Sequence, residues 1–156
     1  MHTVADLMTR DVLTVSPADD LSLAETVLAL GGIRHLPVVD GNQRLVGLIS
    51  HRDVLRTCSN LPPEAKRAML AGEVMTRGLH TVRSFTPLEQ ALTTILHYKI
   101  GCLPVVDEKN HLIGILTEAD VVRFALTCVS RLEALASRPD HRLHPQPVHA
   151  LPGILK

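Results

Sequence analysis

Two short stretches carry the side chains best suited to hold a ligand: Ser50-His51-Arg52-Asp53 and Thr117-Glu118-Ala119-Asp120. In each, a hydroxyl and a carboxylate stand three residues apart where a helix is expected to begin. This spacing has a structural use, the capping box. There the hydroxyl accepts an N–H from inside the helix and the acid accepts the N–H of the cap itself. It also has a chemical use. A helix N-terminus presents free N–H groups and the positive end of a dipole to an anion. The hydroxyl can bond a phosphate or ribose oxygen, and the acid has two acceptor oxygens for the two hydroxyls of a ribose. Gly47 and Gly114 come just before, either to leave room for a ligand or to allow a bulge or close packing. The copies differ in charge: His51-Arg52 lies inside the first and Glu118-Ala119 inside the second. Phosphate needs cations nearby, so the first copy is the better phosphate site. Arg10 and Arg77 are further phosphate candidates.

The elements that must position these motifs come twice. Leu36-Pro37-Val38-Val39-Asp40 and Leu45 to Ser50 recur as Leu103-Pro104-Val105-Val106-Asp107 and Leu112 to Thr117, a step of 67 residues. The match needs no gap from Met8–Arg56 to Met75–Arg123. Ungapped self-similarity means one structural unit used twice. A unit of roughly 60 residues buries too little surface to stand alone, so the copies are expected to pack on each other.

Within the first unit a helical turn is expected at 6–10 and a strand at 13–15. Next comes a helix capped by Asp19, with Leu21, Ala24, Val27 and Leu28 facing inward and Gly31-Gly32 ending it. A hairpin of strands 36–40 and 45–50 follows, with an edge or irregularity at Pro37 because proline has no N–H to give. A helix then starts near His51. Leu61-Pro62-Pro63 is the clearest break, and a helix is expected at 64–71. In the second unit Thr86 is expected to cap a helix with Pro87 at its first position, and with Leu88, Ala91, Leu92, Ile95 and Leu96 facing inward. Its last helix starts at Glu118 and runs past Leu135. The boundaries read as 4–60, a linker at 61–70, a second unit at 71–130, and a helix end with a tail at 131–156. The tail holds Pro139, Pro145, Pro147, Pro152, His141, His144 and His149. It is expected to be irregular rather than a metal site.

Composition removes several classes. Aromatic residues are 2% of the chain, too few to stack bases, and 16 basic residues balance 16 acidic ones. No nucleic-acid partner is expected. The apolar fraction of 46% is enough for an aliphatic core. Cys58, Cys102 and Cys128 suggest reduced thiols rather than a disulfide framework or zinc site, and Cys102 reads as a buried, inert thiol. No run is apolar enough to span a membrane and no signal peptide is visible, so a soluble, cytoplasmic protein is expected. No nucleophile–base pairing stands out.

The order Met-Thr-Arg, Thr-Val, Leu-Pro-Val-Val-Asp, Gly-Leu-Ile-Ser-x-x-Asp-Val-Leu, repeated over residues 4–126 with its last part as Gly-Ile-Leu-Thr-x-x-Asp-Val-Val, resembles the cystathionine-β-synthase (CBS) domain, paired as a Bateman module. The resemblance implies an α+β fold: two βαββα units with small mixed sheets, related by a pseudo-two-fold axis, with two clefts between them. Such clefts take adenosyl ligands: AMP, ADP, ATP or S-adenosylmethionine, and in some members NADH or cyclic di-AMP. It further implies that Asp53 with Ser50, and Asp120 with Thr117, hold ribose or phosphate, with His51 and Arg52 beside them. Backbone near Thr14, Val15, Thr81 and Val82 would meet the adenine. So would the lead-ins to the prolines, Arg34, His35, Leu36 and Pro37 in one copy, Gly101, Cys102, Leu103 and Pro104 in the other. A disc-shaped homodimer is implied as well. The expected function is a regulatory adenine-nucleotide sensor that acts on a protein target in trans, not an enzyme. The alternatives are a ligand-free interaction module with vestigial clefts and a metal-responsive protein using the tail histidines.

Overall fold

A computed structural model of the chain describes residues 2–137. The tail histidines, the prolines around them and the irregular structure expected there lie outside the described residues.

The first repeat begins its regular structure with helix α1 (Leu21–Gly31). Its cap is Asp20, whose carboxylate accepts the Leu23 N–H at 2.8 Å. Asp19, the expected cap, instead accepts the Ser16 N–H at 2.7 Å and closes the preceding turn. Either acid could cap by type; burial of Leu21, Ala24 and Leu28 on one face fixes the register. Gly32 ends α1 with φ 60°, a left-handed conformation cheap only for glycine. Strands β1 (His35–Val39) and β2 (Leu45–Ser50) pair antiparallel, with a register shift between Val38 and Val39. Where an edge or irregularity is expected at Pro37, the strand lies in a two-stranded sheet, and the irregularity falls just beyond Pro37, between Val38 and Val39. The strand expected at 13–15 shrinks to a single parallel bridge between Val15 and Val38.

Helix α2 (His51–Cys58) follows β2 directly. The helix expected at 64–71 is shorter and divided, into α3 (Pro63–Ala68) and α4 (Ala71–Val74). Between them Met69 and Leu70 are extended, and the Met69 carbonyl accepts the Leu21 N–H at 2.9 Å. That bond serves the start of α1 and interrupts the helix. Lys66 reaches back to Glu25 at 3.0 Å and ties α3 to α1.

The second repeat follows the same plan. Helix α5 (Leu88–Tyr98) has Pro87 as its cap, with no side-chain cap bond. Thr86 accepts the Arg83 N–H at 3.1 Å, so the expected start is displaced by one residue. Leu88, Ala91 and Ile95 are buried, whereas Leu96, expected inside, is 78% exposed. Strands β3 (Cys102–Val106) and β4 (Leu112–Thr117) repeat the hairpin, with its shift now between Val105 and Val106. Val82 bridges Val105 in parallel, as Val15 does Val38. Helix α6 (Glu118–Ala136) runs past Leu135 as expected and leaves Val122, Leu126 and Val129 exposed.

The fold is the mixed α+β arrangement expected, but the repeats exchange their leading segments. The 3-10 turn at Val4–Asp6, where a helical turn was expected at 6–10, buries Val4 in the second core. Met8 joins the same core, and Thr9 bridges Ile115 of β4. Reciprocally, Ala71 and Met75 lie in the first core, and Thr76 bridges Leu48 of β2. A Cβ on Gly47 would stand 2.3 Å from the Met75 sulfur, and one on Gly114 2.8 Å from the Met8 sulfur. The space that these glycines leave is therefore filled by methionine from the opposite repeat, not held open for a ligand. The hairpin turns also meet: Asn110 donates to the Leu45 carbonyl at 2.9 Å, and Leu112 N–H to Gln43 at 3.1 Å.

This exchange predicts coupled mutations. Gly47→Ala destabilises the protein, and so does Met75→Ala, by about 2 kcal/mol or more through the cavity it leaves. In the double variant the losses are less than additive, by about 1 kcal/mol, because shortening Met75 makes room for the new methyl. Denaturant unfolding of the four proteins tests this, and strict additivity would refute the contact.

Candidate ligand clefts between the repeats

Both hydroxyl–acid motifs form complete capping boxes. Ser50 caps α2: its hydroxyl accepts the Asp53 N–H at 3.1 Å, and Asp53 Oδ2 accepts the Ser50 N–H at 2.8 Å and its hydroxyl at 2.6 Å. Thr117 caps α6 in the same way, with Asp120 Oδ2 at 2.8 Å from its N–H and 2.7 Å from its hydroxyl. The structural use of the spacing is thus present in both copies, and it leaves the second oxygen of each acid to be accounted for.

The two second oxygens differ. Asp120 is buried, and its Oδ1 accepts from the Thr9 hydroxyl at 3.4 Å and pairs with Arg123 at 3.4 Å. Asp53 is half-buried, and its Oδ1 has no hydrogen-bond partner among the described residues. Thr76 and Arg56 are the residues of the first cleft that match Thr9 and Arg123, one repeat step away. Both line the cleft beside Asp53 without bonding it.

Two clefts of about 340 and 350 Å³ lie between the repeats. Each is built across the repeat boundary. The first joins Ser50, Arg52, Asp53 and Arg56 to Gly78, His80, Lys99 and Cys102 of the second repeat. The second joins Thr117, Asp120 and Arg123 to Asp11, Leu13, Arg34 and His35 of the first. The linings correspond nearly position for position through the 67-residue step. Opposing faces of a motif and a lead-in therefore come from different copies.

Their charges do not correspond. Arg52, Arg56 and Lys99 surround one carboxylate in the first cleft. None of the three forms an ion pair among the described residues. In the second cleft Arg34 and Arg123 face Asp11 and Asp120. Arg34 is paired with Glu118 at 3.4 Å and Arg123 with Asp120. Lys99 also holds φ 53°, at the position where the first repeat has Gly32. A non-glycine residue in the left-handed region costs on the order of 1 kcal/mol, and here it brings an ammonium group to the cleft lining. Gly78, opposite Asp11 in the repeat, likewise spares the first cleft a carboxylate.

Several site residues expected from sequence lie elsewhere. Leu36, Pro37 and Leu103 are fully buried in the sheets. Val15 is buried in the first core and Val82 packs against the second. Neither these residues nor Thr14 or Thr81 line a cleft; the backbone that does so comes a few residues earlier, at Asp11–Leu13 and Gly78–His80. Pro104 and Cys102 line the first cleft, and His51 lines a chamber opening off it. Arg10 and Arg77 turn back to donate to the Ala5 and Gly72 carbonyls at 3.1 and 3.2 Å, and line neither cleft. Burial pushes the Cys102 thiol up to about 12, which makes it a poor nucleophile. Sequence reading missed Arg56, His80 and Lys99. Only the repeat alignment could have found Lys99, as a lysine facing a glycine.

His35 belongs to both clefts, and its ring rests on Gly101, where a Cβ would lie 2.7 Å from its Cε1. Burial, then the Arg34 charge, hold its imidazole below the ordinary range.

The family model for the CBS domain matches residues 4–60 and 71–127. The chain belongs to the CBS domain family. Among solved structures, CBSX2 of Arabidopsis thaliana in complex with AMP is similar at 36% identity and a TM-score of 0.73, covering 83% of this chain and 99% of that one. The CBS domain pair of protein MJ0100, in complex with 5′-methylthioadenosine and S-adenosylmethionine, is 28% identical with a TM-score of 0.70, covering 79% and 98%. Among curated proteins, inosine-5′-monophosphate dehydrogenase of Methanocaldococcus jannaschii is 35% identical over 118 residues, 76% of this chain and 22% of the enzyme. The chain thus spans about a fifth of the length of that relative. Chloroplastic CBSX2 is 34% identical over 152 residues, 80% of this chain and 64% of the relative. No helix among the described residues is long and apolar enough to cross a membrane.

The His35 environment gives a pH prediction. Its folded-state pKa is depressed, so the unfolded chain takes up the proton first as pH falls. The contribution is whole above the unfolded imidazole value of about 6.5 and is lost progressively below it. Denaturation from pH 7.5 to 5.5 should show a shallower loss of stability in His35→Gln than in the parent. Equal slopes would show that His35 does not carry the effect.

Proposed function

We propose that this CBS pair is a regulatory sensor of a phosphorylated adenosyl ligand, bound in the Ser50–Asp53 cleft. One observation carries the reading: Asp53 keeps a carboxylate oxygen free beside three cations that lack acidic partners. The free oxygen suits a ribose hydroxyl. Arg52, Arg56 and Lys99 suit a phosphate, with the N-terminus of α2 adding its dipole. AMP in CBSX2 and S-adenosylmethionine in MJ0100 support the class of ligand. The Thr117–Asp120 cleft, whose acid and cations are already paired, takes a less charged ligand or none.

The mechanism is a population shift. A ligand held by α2 of one repeat and by residues 78–102 of the other favours the relative setting of the repeats that it fits better. The output passes to a protein partner in trans. A second copy of the chain on the exposed apolar stripe of α6 would make that output dimeric, as the CBS family implies.

One observation favours a second reading, an interaction module without ligand: both capping boxes are complete as they stand. Thermal unfolding separates the two. With AMP at a hundredfold excess over its Kd, the melting temperature should rise by about 5–10 °C. Asp53→Ala should abolish the rise and Asp120→Ala should keep it. No shift with AMP, ADP, ATP or S-adenosylmethionine would favour the interaction module. A shift that survives Asp53→Ala would place the ligand elsewhere.

A further inference from the structure

A chamber of about 390 Å³ opens off the first cleft and shares with it Ser50, Arg52, Lys99, His35 and Gly101. Its remaining walls are Arg34, His51, Leu55 and Glu118. Three permanent cations and two imidazoles, His35 and His51, therefore face one carboxylate. That carboxylate, Glu118, is committed to Arg34 at 3.4 Å. Arg52 and Lys99 have no ion-pair partner among the described residues, and each lines both spaces.

The route from cleft to chamber runs past the start of α2. Asp53 lies in the cleft and not the chamber, Ser50 and Arg52 lie in both, and His51 and Arg34 lie in the chamber and not this cleft, Arg34 also lining the second cleft. Arg52 and Arg56 line the same cleft as Asp53 and are the cations available there to the first phosphate of a nucleotide whose ribose sits at Asp53. A longer phosphate chain then continues toward Lys99, His51 and Arg34. Each added phosphate brings more negative charge and more acceptor oxygens. The repeat relation shows that Arg52 and Lys99 are particular to this end of the molecule, while Arg34 stands between the chamber and the second cleft. Arg34, Arg52 and Lys99 correspond to Gly101, Ala119 and Gly32.

We propose that this chamber is a terminal-phosphate subsite, so that the cleft selects adenosine tri- and diphosphate over the monophosphate. The inference rests on the reading of the Ser50–Asp53 cleft as an adenosyl site. On binding, Arg34 leaves Glu118 for the phosphate chain. Since Arg34 belongs to the first repeat and Glu118 to the second, occupancy of the chamber replaces a contact between repeats with one through the ligand.

Titration calorimetry of the full chain with AMP, ADP and ATP, in EDTA so that no divalent cation intervenes, tests the subsite. ATP is expected to bind at least about tenfold more tightly than AMP, a difference of about 1.4 kcal/mol, with ADP between them. Arg52→Ala and Lys99→Gly install the residues that the second repeat carries at the same positions, and the left-handed backbone at 99 accepts glycine. Lys99→Gly should reduce the ATP-to-AMP affinity ratio severalfold, and Arg34→Ala should do the same, whereas Arg52→Ala, at the first phosphate, should weaken all three nucleotides. Glu118→Gln should raise it. Equal affinities for AMP and ATP, or a ratio unmoved by Lys99→Gly and Arg34→Ala, would overturn the subsite while leaving the adenosyl reading intact. Failure of all three nucleotides to bind would overturn that reading and the subsite with it.

Discussion

A methionine sulfur from one repeat occupies the space that a side chain would need at a glycine of the other, and much of the molecule depends on that exchange. Met75 over Gly47 and Met8 over Gly114 let the segments at Thr76 and Thr9 lie against β2 and β4. Without the exchange each sheet would lose a bridge and each core a buried methionine. Burying such a side chain is worth roughly 1.5–3 kcal/mol, a large share of the stability of so small a unit. The same contact draws the repeats together, and the clefts exist because they are drawn together.

The backbone around the clefts is nearly symmetric and the side chains are not. Paired capping boxes give the helices α2 and α6 the same starting geometry. Local differences then decide what each cleft presents. Asp120 is enclosed by Thr9 and Arg123, while Asp53 is left with a free oxygen by Thr76 and Arg56. Lys99 adopts a conformation better suited to glycine and brings a cation where the second cleft has none. One fold thus offers two chemically different cavities, and His35 borders both.

Much of this was legible in the residues. The 67-residue step, the hairpins and the capping boxes follow from local pattern, and local pattern survives folding. The charge difference between His51-Arg52 and Glu118-Ala119 was also visible. What could not be read depended on contacts distant in sequence. Gly47 invites a ligand or a side chain equally well until the partner Met75 is located. Asp19 and Asp20 are equal as caps until burial sets the helix register. Val15, Leu36 and Leu103 were placed at the clefts by resemblance, but apolar residues in a bridge or strand are drawn into the sheet core. Arg56 and Lys99 carry no motif, and only the facing of one repeat on the other gives them a shared cavity.

The reciprocity of the exchange has one more consequence. The methionine contact and the backbone bridge that the first leading segment gives the second sheet each have a counterpart, one repeat step away, given by the second leading segment to the first sheet. Nothing in that pattern requires the two halves to be joined. Two separate chains, each a single repeat, can satisfy both contacts as a symmetric pair, each lending its methionine to the other's glycine. The linker at α3 turns such an assembly into one molecule, in which residue 99 is a lysine while its repeat mate at 32 is a glycine.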